Sequence, residues 1–190
     1  MELILVRHPR PLAADGICYG RSDLPADPAE LARVLAALRG SGLPGDAPVF
    51  SSPLQRCAGL ARALSATAIL DPDLAEMDFG AWEGRHWNDI PREEIDAWAA
   101  DLPRYRPGGG ESVLEVAQRV ATALDTIRRH GGKHALVICH AGTMRLAARL
   151  ADGTPLEAAA LAAASSPHQI GHGEVMRLTL AGRHPSLLAP

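Results

Sequence analysis

The sequence predicts an α/β fold, a three-layer sandwich in which a central, mostly parallel sheet carries helices on both faces. Two observations support this prediction. Short apolar runs such as LILV at 3–6 and HALVIC at 134–139 are typical of strands that are buried on both faces. Segments with apolar residues at helical spacing lie between these runs, so strands and helices alternate along the chain.

The first third of the chain contains one clearly delimited helix. After the first strand, residues 9–28 are rich in proline and aspartate and are expected to form a loop. A helix is predicted over 28–40, because Asp27 can cap it, Pro28 suits its first turn and Gly40 can end it. The elements expected next are a strand at 47–50, a capped helix at 51–66 and a short strand at 67–70.

Residues 71–110 are expected to form an irregular, cap-like insertion within one domain that spans 1–190. One polar helix is predicted inside it, near 91–101. A longer helix at 111–132 follows, because its apolar residues recur at helical spacing and glycines end it. The remaining predictions are a strand at 134–139, helices at 141–153 and 155–163, a final edge strand at 174–180 and a frayed tail to 190.

Length and composition exclude several classes of protein. A chain of 190 residues can bury a core without disulfides or metal, and its 47% apolar content is that of a globular protein. The net charge of −3 argues against a nucleic-acid binder. Three widely spaced cysteines argue against a disulfide framework as the basis of the fold. No leader or membrane span is visible, so the expected location is the cytoplasm; the oligomeric state is not indicated.

Four basic side chains are expected to meet at one rim of the sheet. In α/β sheets ligands bind beyond the carboxyl ends of the strands. Arg7 and His8 end the first strand, and His140 follows the strand at 134–139. Arg56 lies one turn into the helix after the second strand. Arginine forks bind phosphate oxygens and imidazole can donate, accept or attack, so this rim suits a phosphoryl group.

A phosphoryl transfer also needs a proton donor for the leaving oxygen. The segment LAEMDFGAWEG at 74–84 offers three carboxyl groups, those of Glu76, Asp78 and Glu83. A carboxyl beside Phe79 and Trp82 would be desolvated, which raises its pKa toward the working pH. The residues alone do not choose among the three.

Five motifs occur in order along most of the chain: LVRH, SSPLQR, LAEMDFGAWEG, GGGES and VICHAGTMR. Together they resemble the histidine phosphatase superfamily, which has the phosphoglycerate-mutase-like fold. The resemblance implies that His8 is the nucleophile and carries a transient phosphohistidine. It implies that Arg7, Arg56 and His140 hold the phosphate and that Glu76 is the general acid, which then activates water. No cofactor and no metal are implied. We expect neutral His8 to attack while its other nitrogen bonds a backbone carbonyl.

The chain departs from the family pattern beside the expected nucleophile. The family usually continues R-H with G-E-T and, further on, an Asn that contacts phosphate; this chain has Pro9 and Arg10 there, and Ala14 in place of the Asn. Proline removes a backbone donor. Arg10 can supply a replacement cation or be a solvated loop charge. Arg21 or Ser22, in the loop GICYGRSD, can also replace the lost contact.

The resemblance also bears on the substrate. The chain lacks the long insertions of the mutases, which favours a phosphatase that acts on a phosphorylated small molecule. GICYGRSD and DFGAWEG resemble the α-ribazole phosphatase branch, so α-ribazole 5′-phosphate is one candidate. Glu111 and Ser112 are expected at the border of the pocket. A phosphatase with broad small-molecule or phosphoprotein substrates and a non-catalytic phosphate-binding protein remain alternatives.

Two other enzyme classes compete with this interpretation. CHAGTMR fits the C-x-x-G-x-x-R loop of cysteine-dependent phosphatases, although Ile138 and Leu146 stand where that family has a histidine and a hydroxyl residue. Cys139 is therefore interpreted as a small buried strand residue. A metal hydrolase is the second competitor, because the chain has eight histidines, of which His168 and His172 are four apart.

Overall fold

A computed structural model describes residues 1–166 and 169–180, which form a five-stranded sheet flanked by helices. The tail expected to fray, 181–190, lies outside the described residues. The strands are β1 (Glu2–Arg7), β2 (Val49–Ser51), β3 (Ile69–Leu70), β4 (His134–Cys139) and β5 (Val175–Thr179). The α-helices are α1 (Pro28–Gly40), α2 (Gln55–Leu64), α3 (Arg92–Ala100), α4 (Val113–His130), α5 (Ala141–Ala151) and α6 (Leu156–Ser165).

The sheet has the order β3-β2-β4-β1-β5, with β5 at one edge as predicted. The first four strands run parallel, and β5 pairs antiparallel with β1. In the β1–β4 register Arg7 is opposite Cys139, and the backbone N–H of His8 donates to the Cys139 carbonyl at 3.0 Å. The residues that follow these two strands, His8 and His140, are therefore neighbours at the carboxyl edge.

Both faces of the sheet are covered, as the three-layer prediction requires. Leu3 and Leu5 of β1 belong to a core that includes apolar residues of α4, α5 and α6. Ile4 and Val6 point the other way, into a core shared with α1 and α2. All four side chains are at most 1% exposed. This two-sided burial is why the strand is continuously apolar rather than alternating.

The region 71–110, called the cap below, contains short 3-10 turns and the helix α3. The 3-10 turns are Pro72–Leu74, Gly80–Trp82, Trp87–Asp89 and Pro107–Gly109. Cys18, Trp82 and Ile90 form a separate small core here, with Trp98 packed against it. Two backbone hydrogen bonds, Cys18 N–H to Arg85 O and Gly84 N–H to Cys18 O, tie the loop after β1 to the cap.

The helix boundaries reflect local capping. The Asp27 side chain accepts from the backbone N–H groups of residues 29 and 30, as predicted for the start of α1. Ser112 and Glu115 form a reciprocal capping box at the start of α4. The helix expected from residue 51 begins only at Gln55, because Ser51 ends β2 and Leu54 is extended at the N-cap position. Among the described helices, none is both long and apolar enough to cross a membrane.

Candidate active site

A cavity of about 450 Å³ lies at the carboxyl edge of the sheet, between the sheet, the cap and helices α4 to α6. It is lined by the charged or polar side chains of Arg7, His8, Tyr19, Arg56, Glu76 and Arg145. Its remaining lining is mainly apolar and consists of Ile17, Met77, Phe79, Trp87, Trp98, Val113, Val116, Gly142, Leu146, Ala163 and Ala164. The predicted rim and the predicted carboxylate segment therefore contribute to one site.

His8 is held in one orientation and one tautomer. Its Nδ1 lies 2.7 Å from the carbonyl oxygen of Pro9. A carbonyl only accepts hydrogen bonds, so Nδ1 carries the hydrogen, and Nε2 of the neutral ring has a free lone pair. The side chain is 2% exposed, and this burial, followed by the charge of Arg56, lowers the pKa of His8 well below its usual value. The expected bond from the second nitrogen to a backbone carbonyl is confirmed.

His140 lies beside His8, with ring centroids 5.0 Å apart. It is fully buried, and its Nε2 is 2.8 Å from the hydroxyl of Ser52. Burial, followed by His8 and Arg56, lowers its pKa well below the usual value. His140 is not among the described residues that line the cavity. The expected contact with phosphate would therefore require this ring or its neighbours to shift.

Arg56 is a fully buried cation held by loop carbonyls. Its Nη1 donates to Ser22 O at 2.7 Å and its Nη2 to Gly20 O at 2.5 Å, and it lies 5.5 Å from the Tyr19 ring centroid. Arg7 is half-buried, and its Nη1 donates to the carbonyl of Ile170. Neither arginine forms an ion pair with any carboxylate that the structure describes. Two shielded cations that are not paired directly with a described carboxylate favour the binding of an anion in this cavity.

Glu76 is the carboxylate that faces these cations. Its Oε2 accepts from the backbone N–H of Gly142 at 3.1 Å, and its Oε1 from that of Met77 at 3.2 Å. Arg119 holds the backbone on either side of it, donating to Ala75 O at 2.6 Å and to Glu76 O at 3.1 Å. Of the three carboxylates that the sequence left open, Glu76 is the one that lines the cavity.

The other two carboxylates have structural partners instead. Asp78 accepts from the backbone N–H of Gly80 at 2.7 Å. Glu83 accepts from the backbone N–H groups of Phe79, Arg21 and Ser22 and from the Ser22 hydroxyl. Burial alone would raise the pKa of Glu83, but these hydrogen bonds outweigh burial and lower it. The expected rise in pKa is therefore wrong for Glu83.

Arg10 does not take the place of the lost phosphate contact. Its side chain is exposed and lies in a separate groove with Ala14 and Asp27, outside the described lining of the main cavity. The backbone explains this direction, because the Arg10 carbonyl accepts from Asp27 N–H at 2.8 Å and Pro11 bridges to Ala26. The alternative of a solvated loop charge is the one that agrees with the structure.

Four further predicted contact residues also lie outside the described cavity lining. Arg21 is exposed and pairs with Glu111 at 3.6 Å, and Glu111 is bonded in turn to Arg119 at 2.9 Å. The Ser22 hydroxyl donates to Glu83, while its carbonyl holds Arg56. Ser112 is the cap of α4. The geometry does not support direct substrate contact for Arg21, Ser22, Glu111 or Ser112, since each is engaged in holding a site segment in place.

Sequence reasoning missed three residues that shape the site. Tyr19 lies against Arg56, Arg119 holds the backbone at Glu76, and Arg145 lines the cavity. Arg145 has a usable signal, because it ends VICHAGTMR, the motif that also contains His140. The other two depend on contacts between segments that are distant in sequence.

Cys139 is unsuited to be a nucleophile. It is fully buried, and burial raises its pKa well above the usual value for a thiol. This contradicts the cysteine-dependent alternative and agrees with the interpretation of Cys139 as a packed strand residue.

The second alternative is a metal hydrolase. In the part of the chain that the structure describes, no group of three or more His, Cys, Asp or Glu residues is placed so that it could hold a metal ion. His168 lies outside that part.

The fold and the site together define an α/β protein whose cavity contains a neutral histidine and two arginines, a combination that suits an anion. The sequence matches the Histidine phosphatase superfamily (branch 1) over residues 3–188, and the chain belongs to this family. The resemblance seen in the five motifs is thereby confirmed.

Individual relatives support the same placement. A bifunctional protein of Mycobacterium tuberculosis is 37% identical over 115 residues, which are 56% of this chain and 31% of that protein. The chain thus spans about a third of this relative's length. The adenosylcobalamin/α-ribazole phosphatase of Escherichia coli K12 is 32% identical over 169 residues, 83% of this chain and 82% of that one. The crystal structure of the α-ribazole phosphatase from Shigella flexneri superimposes with a TM-score of 0.74 at 27% identity, covering 93% and 89% of the two chains.

Proposed function

We propose that this chain is a phosphatase that hydrolyses phosphomonoesters through a phosphohistidine on His8. The observation that carries the proposal is the bond from His8 Nδ1 to the Pro9 carbonyl. It leaves Nε2 unprotonated in a ring that burial and nearby arginines keep neutral. A nucleophilic nitrogen thus lies beside two cations that suit the phosphate oxygens.

In the first half-reaction, Nε2 of His8 attacks phosphorus and the bond from phosphorus to the ester oxygen breaks. The leaving oxygen takes a proton from the Glu76 carboxyl and departs as an alcohol. Arg7 and Arg56 meet the charge of the non-bridging oxygens. We assign this role to Glu76 because it is the carboxylate of the 74–84 segment that lines the cavity.

In the second half-reaction, the Glu76 carboxylate accepts a proton from water, and the water oxygen attacks phosphorus. The phosphorus–nitrogen bond breaks, and its electron pair returns to Nε2 of His8. Inorganic phosphate leaves, and Glu76 is protonated again for the next cycle. The steps use only this chain's own residues, and the proposal includes no metal and no cofactor.

For the substrate, we propose a phosphorylated small molecule, with α-ribazole 5′-phosphate as the first candidate. Two relatives named as α-ribazole phosphatases support this choice. The apolar lining contributed by Phe79, Trp87 and Trp98 gives room for an aromatic group. We regard 71–110 as the insertion that shapes this part of the cavity. A broader small-molecule or phosphoprotein phosphatase is the alternative.

The three buried free cysteines support a cytoplasmic location.

The proposal is tested by trapping the intermediate. Wild-type protein is mixed with ³²P-labelled p-nitrophenyl phosphate and quenched, and protein-bound label is measured after acid or base treatment. The expected label is labile in acid and stable in base, and His8→Ala abolishes it. His130→Ala, which removes an exposed histidine at the end of α4, is the matched control. A screen of phosphorylated metabolites that includes α-ribazole 5′-phosphate follows. Turnover of none of them, with no trapped label, would favour a non-catalytic phosphate-binding protein.

A further inference from the structure

Arg145 is a cation in the cavity that the proposed mechanism does not use. It lies on α5, three residues after the Gly142 N–H that binds Glu76. Its side chain is half-buried and lines the cavity. Its Nη2 donates to the carbonyl of Ser166 at 2.6 Å, and its Nε is buried with no hydrogen-bond partner.

Arg145 differs from the arginines that serve a purely structural role in this protein. Arg119 and Arg128 have side chains only 13% and 22% exposed, and each is paired with a carboxylate, Glu111 and Asp125 respectively. Arg145 forms no ion pair with a carboxylate in the described ranges. Burial lowers its pKa, and the charge of Glu76 offsets part of this, but a guanidinium remains charged at neutral pH. Arg145 is therefore a shielded cation of the cavity that no described carboxylate pairs with directly.

The surroundings of Arg145 indicate which part of the substrate it meets. Glu76, the proposed proton donor to the leaving oxygen, interacts electrostatically with both Arg7 and Arg145. The apolar lining residues Leu146, Ala163 and Ala164 come from α5 itself and from α6, and Arg145 binds the carbonyl of the residue that follows α6. The Nε1 of Trp98, another residue of the lining, is also buried without a hydrogen-bond partner, as are the Nε atoms of Arg7 and Arg56. All of these groups can donate hydrogen bonds and none can accept them.

We infer that Arg145 determines specificity by binding a carboxylate on the alcohol part of the substrate. The inference rests on the proposed function. Within that function it favours phosphomonoesters with an apolar body and a second anionic group over α-ribazole 5′-phosphate, whose alcohol part carries no anion. A carboxylate fits better than a second phosphate, because one guanidinium with a single fork matches a monoanion, whereas two arginines face the reacting phosphate.

The test compares phenyl phosphate with its 3-carboxyphenyl and 4-carboxyphenyl analogues, which differ only in the added anion. We expect wild type to prefer one of the carboxylated esters in kcat/KM by roughly tenfold or more. Arg145→Gln keeps an NH₂ donor on a shorter side chain but lacks the charge, so this preference should disappear. Arg149→Gln, on the same helix and exposed, is the matched control and should keep the preference.

Each outcome separates the two proposals. The His8-dependent rate with phenyl phosphate tests the proposed function, and the ratio between esters tests Arg145. If Arg145 only caps α6 or holds the reacting phosphate, Arg145→Gln changes all rates together and leaves the ratio as in wild type, which overturns the inference. If wild type hydrolyses no ester, the proposed function fails, and the same ratio is measured as binding of phenylphosphonate and its carboxylated analogues by calorimetry. Equal affinities of wild type for them would also overturn the inference.

Discussion

The backbone N–H of Gly142 donates to the Glu76 carboxylate at 3.1 Å, across 66 positions of sequence. The helix α5 begins at Ala141, so the carboxyl group lies at its N-terminal end, where backbone N–H groups are free to donate hydrogen bonds. The approach is close, because a Cβ atom at position 142 would lie 2.5 Å from Oε1 of Glu76. Glycine at this position therefore allows the proposed acid to rest against the helix.

Gly142→Ala is expected to displace the Glu76 carboxylate and lower kcat by roughly 10- to 100-fold, since the acid would no longer be aligned with the leaving oxygen. The fold should tolerate the change, because alanine favours helix over glycine. Steady-state kinetics and urea unfolding of the same variant separate the two effects. Gly59→Ala, within α2 and with open space around its position, is the control that should retain activity. A fully active Gly142→Ala variant would contradict the role of Glu76.

Glu83→Gln is expected to weaken the loop that holds Arg56. The two Glu83 oxygens accept from three backbone N–H groups and one hydroxyl, and glutamine would point an NH₂ group at two of these donors. We expect a loss of about 2 kcal/mol in the free energy of unfolding. A rise in KM should accompany it, because the carbonyls of Gly20 and Ser22 that fix Arg56 belong to this loop.

The two effects of Glu83→Gln are measured by urea denaturation and by steady-state kinetics on p-nitrophenyl phosphate. Glu93→Gln, at an exposed position in the first turn of α3, controls for the loss of a surface charge. Unchanged stability together with a large fall in kcat alone would instead indicate that Glu83, and not Glu76, takes part in the proton transfer.

Local patterns predicted the fold well because burial and capping act over a few residues. The bounds of α1 and β4 agree with those predicted, since Asp27 caps the former and both faces of the latter are buried. The same strand-end rule predicted that Arg7, His8, Arg56 and His140 would meet at one rim. The first three line the cavity, whereas His140 lies buried beside His8. These predictions needed no knowledge of the loops.

The direction of loop side chains was not predictable in this way. Arg10 and Arg21 lie in the loop after β1, whose path depends on bridges between Pro11 and Ala26 and between Ile17 and His86. The second bridge spans 69 positions, so no local pattern encodes it. Ser22 and Glu111 were predicted near the substrate, but they lie outside the cavity lining. Their positions depend on hydrogen bonds to Glu83 and Arg119, which are remote in the sequence from Ser22 and on another element from Glu111, respectively.

Cys139→Ala is expected to retain activity within a few-fold, because the buried sulfur does not reach the cavity. It should cost about 1 kcal/mol of stability through the loss of packed volume in the core. His8→Ala, in contrast, should lower kcat on p-nitrophenyl phosphate by roughly three orders of magnitude or more. Paired assays of the two variants measure this difference. An inactive Cys139→Ala variant beside an active His8→Ala variant would reverse the assignment of the nucleophile.

The stability of the protein should fall as the pH drops below about 6.5. Burial lowers the pKa values of both His8 and His140, so the folded state keeps these rings neutral where the unfolded state protonates them. The unfolded state then binds up to two more protons, and the free energy of unfolding decreases by as much as about 2.7 kcal/mol per pH unit between the unfolded and the folded pKa values. Above pH 6.5 this contribution to the pH dependence is absent.

Urea unfolding between about pH 5 and pH 6.5 measures this slope in a range above the usual carboxylate pKa values. The buffer must contain no phosphate, because an anion bound to Arg7 and Arg56 would stabilise the folded state. His8→Gln removes one of the two neutral rings and should reduce the slope by about half. His130→Gln controls for the loss of an exposed histidine. If wild type and His8→Gln show parallel slopes, His8 is not held neutral by its surroundings, and its readiness to attack as a free imidazole has to be explained in another way.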